Sequence, residues 1–185
     1  MLNVPNIITL LRLAMVPLLA WLLLEARYAA ALGVFMAAAL SDALDGFIAR
    51  RYQLSSKLGA TLDPIADKLS MLAATLLLAW HHELPLWLAF AIVLRDIVIV
   101  VGAIAYRLLI GPLEMAPTRL SKINTTLEFT VLLFAMAAAA AWIPKGAWLV
   151  WLYALVAATV VLSGAQYVWV WGRKAAADYD RRLNT

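Results

Sequence analysis

The chain has 185 residues, of which 65% are hydrophobic and 14% charged, and its mean hydropathy is +0.88. A soluble domain of this length carries roughly 25% charged residues, so the composition excludes an ordinary water-soluble enzyme. The absence of cysteine excludes disulfides and thiolate metal sites. The net charge of +4 bears, in so apolar a chain, on membrane orientation and anionic lipid and not on nucleic acid.

A membrane-spanning helix needs about 20 mostly apolar residues. Six stretches qualify: 7–25, 29–49, 60–80, 85–106, 121–142 and 147–171. The first has no basic leader and does not read as a cleaved signal. It carries Asn6, Thr9 and Arg12 at intervals of three, a polar stripe on an apolar helix. Arg12 either meets nucleotide phosphates or lipid headgroups, or sits in an interfacial turn. The second and third spans meet in an acidic stretch, Ser41 to Leu69, SDALDGFIARRYQLSSKLGATLDPIADKL. His81, His82 and Glu83 follow the third span and read as a solvated loop. The fourth span carries Arg95 and Asp96 deep in its apolar run. The fifth opens with Arg119, Lys122, Asn124 and Glu128 and contains a small-residue run, AMAAAAAW at 135–142. That run is either a close-packing helix face or span filler. A basic and then mixed tail, 173–185, closes the chain.

Trp80, Trp87, Trp142, Trp148, Trp151, Trp169 and Trp171 lie near the expected span ends, as an interfacial belt does. With both termini in the cytoplasm, the inner segments hold Arg50, Arg51, Lys57, Arg107, Arg119, Lys122, Arg173, Lys174, Arg181 and Arg182. The outer loops then hold only Arg27 and Lys145. This positive-inside bias places the acidic stretch at the cytoplasmic ends of the second and third helices.

Helix neighbours recur at i+3 and i+4. Asp42, Asp45 and Ala49 therefore share one face of the second helix, and Gly59, Asp63 and Asp67 one face of the third. Four uncompensated carboxylates at membrane depth would repel one another at high cost. Hard divalent cations such as Mg²⁺ or Mn²⁺ take all-oxygen ligands and resolve that cost. Gly46, Ala49 and Gly59 leave room for a bulky ligand, and Arg50 offers a fork for phosphate. Together these residues point to a diphosphate-bearing ligand.

The same residues resemble a known signature. Asp42-x2-Asp45-Gly46-x2-Ala49-Arg50-x8-Gly59-x3-Asp63-x3-Asp67 matches the CDP-alcohol phosphatidyltransferases at eight fixed positions over 26 residues. The resemblance implies an all-α integral membrane protein: one domain over 1–185, six transmembrane helices in the CDP-alcohol phosphotransferase fold, usually a homodimer. It implies a CDP-linked lipid donor, release of CMP and dependence on Mg²⁺ or Mn²⁺. Carried over, Asp42, Asp45, Asp63 and Asp67 hold metal, and Asp67 is the general base. Asp42, Gly46, Ala49, Arg50 and Gly59 receive the CDP moiety.

The signature reads the donor, so the acceptor is read elsewhere. Arg95 lies at a depth similar to that of Asp67, counted at about 1.5 Å per residue from the cytoplasmic helix ends. Arg95 and Lys122 are therefore expected to hold an acceptor phosphate at the metal site. Lys122 has a second reading, as a snorkelling interfacial anchor. Adjacent helical residues point about 100° apart, so Arg95 and Asp96 need not pair, and Asp96 serves at most to orient its neighbour. Glu128, Gln166 and Lys68 read as hydrogen-bonding groups inside the bundle. The stretches ALGVF, Arg95-Asp96, Pro117-Thr118, Ser121-Lys122-x-Asn124-Thr125 and WGRK are most similar to the eukaryotic-type cardiolipin synthase branch. The sister branch, phosphatidylglycerophosphate synthase, has a lysine where this chain has Asn124. A dianionic monoester such as glycerol 3-phosphate needs more positive charge than the singly charged diester of phosphatidylglycerol. The resemblance with Asn124 thus implies CDP-diacylglycerol as donor and phosphatidylglycerol as acceptor, with glycerol 3-phosphate as the alternative. A bacterial inner-membrane location with a cytoplasmic site is expected. A divalent-cation transporter is the competing class, but it needs polar residues through the outer half of the bundle, where this chain is almost wholly apolar.

Overall fold

The computed structural model describes residues 4–52, 57–109, 111 and 118–183, and side chains over 11–42, 65–108, 111 and 118–174. Among the described residues there are six α-helices and no strand. They are α1 (Val4–Leu24), α2 (Tyr28–Tyr52), α3 (Lys57–Trp80), α4 (Leu86–Leu109), α5 (Arg119–Ala139) and α6 (Ala147–Leu183). Each expected span falls on one of them. The last differs most: α6 continues well past residue 171 and carries the basic tail as helix to Leu183.

Among the described residues three helices are long and apolar enough to cross a membrane, over Leu86–Leu108, Arg119–Ala139 and Ala147–Lys174. The described apolar stretches of α1 and α2 are shorter, Leu11–Leu24 and Tyr28–Asp42. The spans in α4 and α6 leave most of their residues unburied, with Phe90, Ile97, Val101, Val161 and Val168 exposed. An apolar surface of that extent requires lipid or another protein against it.

The chain divides into two compact units. The first comprises Met1–Leu86 and Leu132–Gly146, the second Trp87–Val131 and Ala147–Thr185. In the first, α1 packs against both α2 and α3. Its buried apolar side chains include Leu19, Leu23, Phe35, Leu78, Leu132 and Met136. Ala135, Ala137 and Ala138 are buried with them, so the small-residue run of α5 is a packing face and not filler. In the second unit, Gly102 of α4 lies under the indole of Trp171 of α6: a Cβ at 102 would fall inside that ring. Trp171 is therefore half-buried and edge-on to Tyr167 at 5.2 Å. The other six tryptophans of the expected belt are exposed.

Three helices end in the same way. After α1, Arg27 N donates to Leu22 O at 2.8 Å; after α3, Glu83 N to Leu78 O at 2.8 Å; after α5, Trp142 N to Ala137 O at 2.9 Å. These six-to-one bonds close Schellman motifs, with Ala26, His82 and Ala141 at φ of 54°, 59° and 58°. None of the three is glycine, although the left-handed region favours it. The result is a tight reversal. Arg27 O accepts from Ala31 N at 2.9 Å, and α2 begins at Tyr28. Lys145 Nζ and Glu83 Oε2, 2.5 Å apart, tie the loops after α5 and α3 together. At the other end of α5, Thr118 caps the helix by accepting from Ser121 N at 3.2 Å.

Some polar side chains in the apolar helices bond to their own helix, as suits a membrane interior. Ser70 Oγ donates to Ala66 O at 3.0 Å and Thr159 Oγ1 to Val156 O at 2.9 Å.

Candidate active site

The first unit brings three charged residues to one place. Arg12 of α1 is buried, at 1% exposure, and every other described side chain of that helix is apolar. Its Nη1 donates to Asp42 Oδ1 at 2.7 Å and to Asp67 Oδ1 at 3.5 Å. One nitrogen thus bridges the middle turns of α2 and α3. The two carboxylate oxygens can lie no further apart than those two distances laid end to end. Asp42 and Asp67 side chains keep 46% and 45% of their surface exposed, while that of Arg12 keeps none. The arginine approaches from the buried side, and the carboxylates remain open on the other.

α2 runs unbroken through positions 42, 45, 46, 49 and 50, and α3 through 59, 63 and 67. The helical spacing on which the sequence argument depends is therefore present. The side chains of Asp45, Ala49, Arg50 and Asp63, and the surroundings of Gly46 and Gly59, lie outside the described residues. Among the described residues no three acidic or histidine side chains gather as a metal site; two of the four expected ligands fall outside that set. The pair that is described fits a hard cation: two carboxylates from different helices, close together and open on one side.

The second unit holds a separate polar cluster. Arg95 of α4, at 6% exposure, donates from Nη1 to Asp96 Oδ1 at 2.7 Å. Its Nη2 donates to Ser121 Oγ of α5 at 2.8 Å and to Ser163 Oγ of α6 at 3.0 Å. Three helices thus meet on one guanidinium. The neighbours do pair, although their backbone directions did not require it, because the long arginine side chain folds back to its own helix. Gly164 gives it space: a Cβ there would stand 3.7 Å from Arg95 Cγ. Asn124 is fully buried and donates from Nδ2 to Glu128 Oε1 at 2.6 Å, while its Oδ1 has no hydrogen-bond partner among the described residues. Lys122 and Arg119 are exposed, in keeping with interfacial anchoring.

Sequence reasoning left the role of Arg12 open and missed its contact with the aspartates. A signal was present: a lone cation in an apolar helix calls for an acidic partner. Ser163 was missed entirely, for a lone serine in an apolar run carries no pattern.

Comparison with known proteins agrees with this reading. The family model for CDP-alcohol phosphatidyltransferase matches residues 2–164. A cardiolipin synthase (CMP-forming) of Rattus norvegicus is 34% identical over 152 residues, covering 74% of this chain and 50% of the relative. The Homo sapiens protein of the same name is 32% identical over 188 residues, covering 93% and 62%. A CDP-diacylglycerol–glycerol-3-phosphate 3-phosphatidyltransferase of Pseudomonas fluorescens is 46% identical over 103 residues, covering 52% of each chain. The chain thus spans between half and under two thirds of the length of these relatives. The signature, from the middle of α2 to the middle of α3, lies within the matched region, and the chain belongs to the CDP-alcohol phosphatidyltransferase family.

Proposed function

We propose that this chain is a CMP-forming cardiolipin synthase, transferring the phosphatidyl group of CDP-diacylglycerol to phosphatidylglycerol. The observation that carries the reading is the convergence of Asp42 and Asp67, from two helices of the signature, on one point. The likeness to cardiolipin synthases over 93% of the chain supports the choice of acceptor. The matching phosphatidyltransferase that uses glycerol 3-phosphate keeps that alcohol as the second reading.

In this reading the molecule is one membrane domain of six transmembrane helices, homodimeric, with its site on the cytoplasmic face of a bacterial inner membrane. Asp42, Asp45, Asp63 and Asp67 hold Mg²⁺ or Mn²⁺. A bound cation polarises the diphosphate and stabilises the departing CMP. Gly46, Ala49 and Gly59 admit the CDP moiety and Arg50 grips its phosphate. A terminal hydroxyl of phosphatidylglycerol attacks the lipid-side phosphorus. A new P–O bond forms, the P–O bond to CMP breaks, and Asp67 takes the hydroxyl proton. Arg95 and Lys122 hold the acceptor phosphate. Asn124 Oδ1, buried without a partner among the described residues, accepts from an acceptor hydroxyl.

The test offers the purified chain CDP-diacylglycerol and Mg²⁺ with phosphatidylglycerol or glycerol 3-phosphate separately, and follows CMP. Release with phosphatidylglycerol is expected. Release only with glycerol 3-phosphate would replace the acceptor, and release with neither would overturn the activity. Asp67→Asn should lose at least about 10²-fold in rate, the lower end of what general-base catalysis contributes. A variant retaining most of its rate would remove Asp67 from that role.

A further inference from the structure

A buried arginine beside proposed cation ligands is at first sight misplaced, because it competes with the cation for the same carboxylates. The geometry gives a reason for it. Arg12 reaches Asp42 and Asp67 with a single nitrogen, from the side away from solvent. It projects from α1, the helix that packs against both ligand-bearing helices. Without a positive charge between them, two carboxylates at this spacing repel each other.

We propose that Arg12 is the resident counter-ion of the aspartate site. It is a positioning residue that holds Asp42 and Asp67 at one point and supplies part of the charge that a divalent cation later provides. The cation then enters from the open side, where both carboxylates are exposed away from the arginine. The metal half of this inference rests on the function proposed above; the metal-free half rests on the geometry alone.

The test uses the full chain in detergent and follows thermal unfolding with and without Mg²⁺, first in excess chelator. Arg12→Met should lower the cation-free midpoint. Because Arg12 and the cation are partly redundant charges, saturating Mg²⁺ should raise the midpoint of the variant more than that of the wild type. Binding to the folded state stabilises in proportion to the logarithm of ligand over Kd, so a larger shift at equal Mg²⁺ reports tighter binding. Arg12→Lys keeps the charge without the fork and should fall between the two. Asp42→Asn in the Arg12→Met background should restore part of the cation-free midpoint by removing the repulsion. A purely structural arginine predicts equal losses with and without Mg²⁺, and that result overturns the proposal. So does an Arg12→Met midpoint equal to wild type in chelator. Should Arg12→Met fail to fold, Arg12→Lys and Asp42→Asn, alone and combined, give the same cycle, and additive effects would be the contrary result. None of these readings needs turnover. A failed activity with an intact Arg12–Asp42 coupling would therefore reject the proposed reaction and leave the counter-ion standing.

Discussion

Replacing Arg95 by methionine removes a group shared by α4, α5 and α6. Methionine retains most of the side-chain length, so little cavity is created. What is lost is the pair of cross-helix hydrogen bonds to Ser121 at 2.8 Å and Ser163 at 3.0 Å, and the pairing with Asp96. Hydrogen bonds between helices in membrane proteins average about 0.6 kcal/mol and reach about 1.7. Two of them set the expected destabilisation at about 1–3 kcal/mol. Both serines can turn back to a carbonyl of their own helix, which argues for the lower half of that range. Equilibrium unfolding in mixed micelles, followed by far-UV circular dichroism, measures it. The Ser121→Ala/Ser163→Ala pair should cost about 1 kcal/mol in wild type and almost nothing in the Arg95→Met background, because the bonds are already gone. An Arg95→Met protein as stable as wild type, or full additivity of the serine changes, would refute the idea that this guanidinium ties the second unit together.

Gly102→Ala places a methyl inside the Trp171 ring and should destabilise by about 1–3 kcal/mol, as overpacking does; Trp171→Leu in the same chain should relieve most of it, as read in the same unfolding assay. Ala26→Gly and Ala141→Gly should each stabilise by about 0.5–1 kcal/mol: glycine relieves a left-handed penalty of about 1–2 and returns part of it through unfolded-state entropy. Loss of stability in both would show that these turns carry no backbone strain. Asn124→Lys restores the cation of the glycerol-3-phosphate branch beside Glu128. It should raise CMP release with glycerol 3-phosphate relative to phosphatidylglycerol, in competition assays with both acceptors present. An unchanged ratio would detach Asn124 from acceptor choice.

The helices were legible because apolar runs of about 20 residues have one stable outcome in lipid, where only a continuous helix satisfies the backbone. The ends were less so. Ala26, His82 and Ala141 take the position that glycine normally marks, so no residue type signals the three reversals. The aspartate signature was legible because its spacing is local to two helices. The contacts of Arg12 were not, since they join positions 30 and 55 residues apart and only the packing of α1 brings them together. Arg95 was legible as a buried cation in need of partners. Asp96 was legible only as a group that could orient its neighbour, and the reach of the arginine side chain makes that contact. Ser121 and Ser163 became partners only through helix packing that no local pattern encodes.

The central claim is phosphatidyl transfer onto phosphatidylglycerol, and isotope labelling tests it most directly. Purified full chain with Mg²⁺ is given deuterated phosphatidylglycerol and unlabelled CDP-diacylglycerol; lipid masses and CMP are measured together. The account predicts cardiolipin containing one intact labelled phosphatidylglycerol and one unlabelled phosphatidyl group, with one CMP for each molecule formed. Recovery of the labelled lipid unconverted, or cardiolipin doubly labelled and without CMP, would contradict it.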